Sequence, residues 1–142
     1  MHKILIALLI AASLGLTGCA SRSTAKVDAS TNLSTIKTMH VVKIPEETAH
    51  ISTLIADDLR RRGYTVTTST EKVAGVDAVV TYVDRWMWDI TMYLLELTIM
   101  IRDPNTDFPL ATGNAMYTSL IRKSPPEMVD EIMGNIFKEA SK

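Results

Sequence analysis

The sequence predicts an α+β fold: a mixed β-sheet of about five strands, in the order β-α-β-β-β-β-α, with two helices packed on one face. Three observations predict it. Apolar side chains recur at helical spacing over 51–59 and again over 128–140. Short β-branched runs, several alternating with period two, fill the chain before and between those stretches. Clusters of Gly, Pro, Asp and Asn separate the runs, most densely at 103–107 and 124–126. The 142 residues, 46% hydrophobic and 22% charged, suffice for about one domain.

The chain opens differently. Met1-His2-Lys3 is a short basic start, residues 4–12 are an unbroken apolar run, and small residues lead to Leu16-Thr17-Gly18-Cys19. This is the plan of an export signal, and its apolar stretch is shorter than the about 20 residues of a bilayer span. Cys19 is the only cysteine, so no intramolecular disulfide is possible. In an oxidising compartment a lone thiol is a liability unless it is capped.

Leu16-Thr17-Gly18-Cys19 resembles the lipobox of bacterial lipoproteins. The resemblance implies a lipoprotein signal peptide over 1–18, a diacylglycerol on the Cys19 sulfur, and an acyl chain such as palmitate on the amine freed by cleavage. Two or more chains anchor stably, since each buried methylene contributes about 0.8 kcal/mol. In Gram-negative lipoproteins an Asp after the cysteine commonly retains the protein in the inner membrane. Ala20 therefore implies the outer membrane, with the domain facing the periplasm.

Residues 19–35 read as the lipidated cysteine and a flexible tether. They are rich in Ser, Thr and Ala, and only Val27 and Leu33 are sizeable apolar residues. Such a segment buries too little surface to offset its ordering entropy. The domain is expected over 36–142.

A strand is expected over 38–44. Pro45-Glu46-Glu47 then opens a helix, with Pro in the first turn and acids at the positive end of the dipole. Ile51, Leu54, Ile55 and Leu59 form its apolar stripe; Arg60-Arg61-Arg62 occupies its last turn and Gly63 its C-terminal cap. A second strand covers 64–68 and a turn 70–75. Two further β segments, 76–88 and 90–102, follow. In the latter, Tyr93, Leu95, Leu97, Ile99 and Ile101 are expected on the core face.

After the turn at 103–107 a last strand is expected over 110–121, with a bulge at Gly113. Ser124-Pro125-Pro126-Glu127 is a capping box with Pro in the first turn. Met128, Val129, Ile132, Met133, Ile136, Phe137 and Ala140 then define an amphipathic helix that needs the sheet as partner. The opening β-α-β should be a parallel pair, and the remaining strands a meander.

This order of elements resembles several small envelope modules: lipoprotein activators of penicillin-binding proteins, the N-terminal module of the Tol translocation protein, and auxiliary lipoproteins of envelope transporters. Arg62-Gly63-Tyr64, Val76-Asp77-Ala78 and residues 82–89 resemble a pattern in small uncharacterised Gram-negative outer-membrane lipoproteins. That family carries over no activity.

Net charge is −1, and removal of 1–18 takes away Lys3 and no acid, leaving −2. The balance argues against nucleic acid and against a polybasic membrane patch. His40 and His50 lack an acid at ligand spacing, so no metal is expected. No nucleophile elbow, phosphate loop or dinucleotide fingerprint occurs, so neither a cofactor nor an enzyme is expected. Asp57 and Asp58 are neighbours on a helix and face about 100° apart, too far to share a proton.

Tyr82, Trp86 and Trp88 share one face of a strand with Asp84. Two readings stay open. The aromatics fill space between sheet and helices, or they make a shelf for a protein or glycan partner. The expectation is a non-catalytic interaction or scaffold module of the cell envelope, held to the membrane by the lipid on Cys19, with an envelope protein or peptidoglycan as partner. The alternative is a carrier or auxiliary transport lipoprotein that binds an apolar ligand between sheet and helices, which takes a cavity of several hundred Å3.

Overall fold

The computed structural model describes residues 21–142; the expected signal peptide over 1–18, the expected lipobox and Cys19 lie outside the described residues. Six strands form one mixed sheet: β1 (Arg22–Val27), β2 (Thr38–Val42), β3 (Thr65–Ser69), β4 (Ala78–Trp88), β5 (Met92–Arg102) and β6 (Pro109–Met116). Their spatial order is β1-β6-β5-β4-β2-β3. Helix α1 (Ile51–Arg61) joins β2 to β3, and α2 (Pro125–Ala140) comes last. Both helices pack into one apolar core with the sheet, as the α+β expectation required.

The sixth strand is a correction. Residues 22–27, read as tether, pair antiparallel with β6 from Arg22↔Met116 to Val27↔Ala111. Leu33 and Ile36 are core residues as well. The segment's composition misleads because its inward side chains are small. Ser23, Ala25 and Val27 alternate with the exposed Arg22, Thr24 and Lys26, and α2 passes over them, with Asn135 Nδ2 donating to Ser23 Oγ at 2.9 Å. Ala25 pairs with Gly113 of β6. A Cβ on Gly113 would stand 2.5 Å from Ile132 Cγ2. Gly113 is thus a place where helix meets strand, rather than the expected bulge.

The expected meander holds for β4, β5 and β6, which are successive antiparallel neighbours, but not for the step from β3 to β4. β3 and β4 are both parallel to β2 and flank it on opposite sides. The chain from Thr70 to Asp77 therefore returns along β2 and is fastened to it. Asp77 accepts from the Lys37 and Thr38 N–H groups at 2.8 Å each. His40 is buried beneath this connection. Its Nε2 donates to the Glu71 carbonyl at 2.8 Å, and its Nδ1 lies 2.8 Å from Thr67 Oγ1. A carbonyl can only accept, which assigns the Nε2 proton.

Helix α1 starts at Ile51, later than Pro45 suggested. Glu46, Ala49 and His50 have φ of +58°, +59° and +53°, outside helical backbone. Its C-terminus follows expectation, with Gly63 at φ +96°. In α2, Glu127 accepts from the Ser124 N–H at 2.8 Å and from Ser124 Oγ at 2.6 Å.

Candidate functional site

β4 and β5 are each eleven residues long and outrun their neighbours. β2 pairs with β4 only as far as Val80, and β6 pairs with β5 only from Glu96 onward. The far half of this hairpin projects from the sheet. A bulge sits within it: Arg85 pairs with Glu96 but Trp86 pairs with Leu94, so Leu95 is the extra residue. One extra residue inverts the side-chain phase. Leu97, Ile99 and Ile101 point into the core as expected, while beyond the bulge Leu94 is buried in place of Leu95.

Tyr82, Trp86 and Trp88 do lie on one face of β4, but they sit in three different environments. Tyr82 is 4% exposed. Its hydroxyl donates to Glu47 Oε2 at 2.6 Å and accepts from the Ile44 N–H at 3.2 Å. Burial first, and then the bond to the Glu47 carboxylate, raise its pKa. It has no group left for a partner. Trp86 is half-buried against the core, and its indole N–H donates to Asp84 Oδ2 at 2.6 Å. Trp88 is 68% exposed.

Trp88 has company that sequence reasoning missed. Ile90 is 87% exposed at the turn, and Met92 pairs with Trp88 across the hairpin and is itself exposed. Leu120, 97% exposed, and Ile121 join them from the short turn Ser119–Ile121. The last strand, expected to reach 121, ends at Met116. The turn that replaces it is tied to the hairpin tip. Ser119 Oγ donates to Asp89, Arg122 Nη1 donates to Thr91 Oγ1 at 2.8 Å, and the Arg122 guanidinium lies 4.9 Å from the Tyr93 ring centre. The Ser119 hydroxyl, with the Ile90 N–H and Arg122, holds the Asp89 carboxyl below its ordinary pKa. The signal available in the sequence was an isoleucine between Asp89 and Thr91 in a turn, where polar residues are the rule.

Behind the tip, Arg22, Met116, Glu96 and Arg85 form one row across four strands. Glu96 accepts from Arg85 at 2.7 Å and from Asn114 at 3.0 Å, and Arg22 stands 3.8 Å away. The opposite face of β4 carries Val83, 52% exposed, and Met87, also exposed.

The arginine run at the end of α1 is occupied internally. Arg60 pairs with Asp57, while Arg61 and Arg62 both pair with the buried Asp58. Arg62 also lies 4.6 Å from the Phe137 ring centre. Among the described residues no three His, Cys, Asp or Glu side chains are grouped to hold a metal, and no helix is long and apolar enough to cross a membrane.

No family model and no curated protein matches the chain. Solved structures share its fold. A PelC dodecamer from Paraburkholderia phytofirmans superposes with a TM-score of 0.60 at 11% identity, over 82% of this chain and 98% of that one. A DUF4136 family protein from Bacteroides thetaiotaomicron gives 0.56 at 8% identity, over 83% and 95%. TolB from Acinetobacter baumannii gives 0.51 at 13% identity, over 85% of this chain and 31% of that one. At these identities the likeness is one of fold.

Proposed function

We propose that the chain is a lipoprotein of the cell envelope, anchored through Cys19 in the outer membrane and facing the periplasm, whose domain is a non-catalytic scaffold that docks a protein or peptidoglycan partner. The observation that carries this reading is the division of the sheet into a solid face and an open one. On the helix side, Ile132 and Ile136 press onto Gly113, and Met39, Ile55, Leu97, Ile99 and Met133 have no exposed surface. On the other side Val83 and Met87 stand in water next to Arg85. Apolar side chains grouped in this way on a surface mark contact sites.

The same packing disfavours the carrier reading, which needs an apolar cavity between the layers. The grooves of about 260 and 320 Å3 at Phe108 and Trp86 open on the outside of the fold. The buried polar side chains Glu47, Asp58 and His40 are each engaged in structural hydrogen bonds. Each of them thus has a structural role in the fold.

Two measurements test the proposal in cells. Cys19→Ser should move the protein out of the membrane pellet and abolish labelling by palmitate analogues; retention with label refutes the anchor. A photo-crosslinking residue at Val83 should capture an envelope protein or peptidoglycan, while the same residue at Lys138 captures neither. Equal yields at the two positions refute the docking face.

A further inference from the structure

We infer that the tip of the β4–β5 hairpin, with Trp88, Ile90 and Met92 and the adjoining Leu120 and Ile121, seats in the surface of the same bilayer that holds the lipid on Cys19. This rests on the anchoring reading above and adds a second point of contact, which fixes how the domain stands on the membrane.

β1 begins at Arg22, and Arg22, Met116, Glu96 and Arg85 lie side by side. β1 runs from that row toward Val27, while β5 enters the row from Met92 and runs the same way. The start of β1 and the tip of the hairpin are therefore at one end of the sheet. Three residue steps separate Cys19 from Arg22, a reach of at most about 11 Å. Four steps of strand separate Glu96 from Met92, about 13 Å of projection beyond the row. A bilayer that holds Cys19 is thus within reach of the tip, and the long tether that would have freed the domain is absent because 22–27 is strand.

The chemistry at the tip suits that place. Trp88, Ile90 and Leu120 are 68%, 87% and 97% exposed, an unfavourable arrangement in water. Tryptophan concentrates at membrane interfaces, where an amphipathic ring finds both an apolar and a wet side. Side chains of this kind embed about 5–10 Å into the headgroup boundary. Around the tip, Arg122 is paired with Asp89, while Arg85 and Arg22 share Glu96, which leaves one positive charge in the row behind the tip. The tip itself presents apolar side chains, so its attachment should survive salt, which screens charge but not burial.

The test uses full-length lipidated protein in vesicles of phosphatidylethanolamine and phosphatidylglycerol. A polarity-sensitive fluorophore is placed on Ile90→Cys and, separately, on Asn105→Cys in the turn at the opposite end of β5. Flotation with the vesicles, a blue shift at position 90 that persists in high salt, and no shift at position 105 are expected. Flotation with water-like emission at both positions overturns the tip contact and leaves the anchor standing. Failure to float overturns the anchor and the tip contact together. A blue shift at position 90 in Cys19→Ser protein without vesicles, growing with protein concentration, assigns the tip to a second copy and overturns the inference.

Discussion

Glu47 has a side chain that is 3% exposed, in a segment whose backbone is held in left-handed geometry on both sides. Burial alone would raise its pKa, but hydrogen bonds from Tyr82, the Ser52 N–H and Ser52 Oγ, together with the Lys43 ammonium at 3.5 Å, outweigh it and hold the pKa below the ordinary 4.5. With the folded-state pKa depressed, the contribution is complete above pH 4.5 and is lost as pH falls through the folded value. Glu47→Ala leaves the Tyr82 hydroxyl buried without its acceptor and should cost on the order of 3 kcal/mol at neutral pH in urea denaturation. The difference from the parent protein should shrink as the medium is acidified. Tyr82→Phe removes the donor instead, strands the Ile44 N–H, and should cost about 1–3 kcal/mol.

Among the elements, α2 shows how unevenly one stripe can be used. Ile132, Met133 and Ile136 have no exposed surface, whereas Phe137, on the same stripe, is half-buried under Arg62 with its ring 5.7 Å from that of Tyr64. Full burial of Phe137 does not occur because it lies at the rim, beside the short turn Leu33–Thr35 and the end of β1's connection. Ile136→Ala should therefore cost about 2–5 kcal/mol and Phe137→Ala less than that range's upper half. Lys138→Ala should stay under about 0.5 kcal/mol. Gly113→Val places a branched side chain under Ile132 and should cost about 1–3 kcal/mol through overpacking. Equal losses across the α2 series in chemical denaturation would show that the helix is packed differently.

At the scale of the whole molecule, the sheet is a layer with one face covered, one face open and one apolar end. Removing 22–27 would strip β6 of its outer partner and uncover part of the inward surface of α2, so the truncated chain should lose a large part of its unfolding free energy and gain an aggregation-prone edge. The two tryptophans should behave oppositely in a thermal melt. Trp86→Ala opens the core side of β4 and breaks its bond to Asp84, and it should lower Tm by several degrees. Trp88→Ala removes a side chain that is 68% exposed and should leave Tm nearly unchanged.

The fold class was legible in the sequence because it depends on short-range periodicity. The apolar stripes of α1 and α2, the Gly63 cap, the Ser124–Glu127 box and the β-branched runs each state their preference within a few residues. Tertiary structure alone decided the rest. Residues 22–27 look like a linker until α2 requires small side chains at Ser23, Ala25 and Gly113. The bulge at Leu95 arises from pairing between two strands, and no single strand's alternation announces it. The aromatic face of β4 splits into Tyr82 inside, Trp86 at the edge and Trp88 in solvent because the helices cover only part of a strand that is longer than they can shield. Spacing tells which side chains share a face; burial depends on what the rest of the chain lays over it.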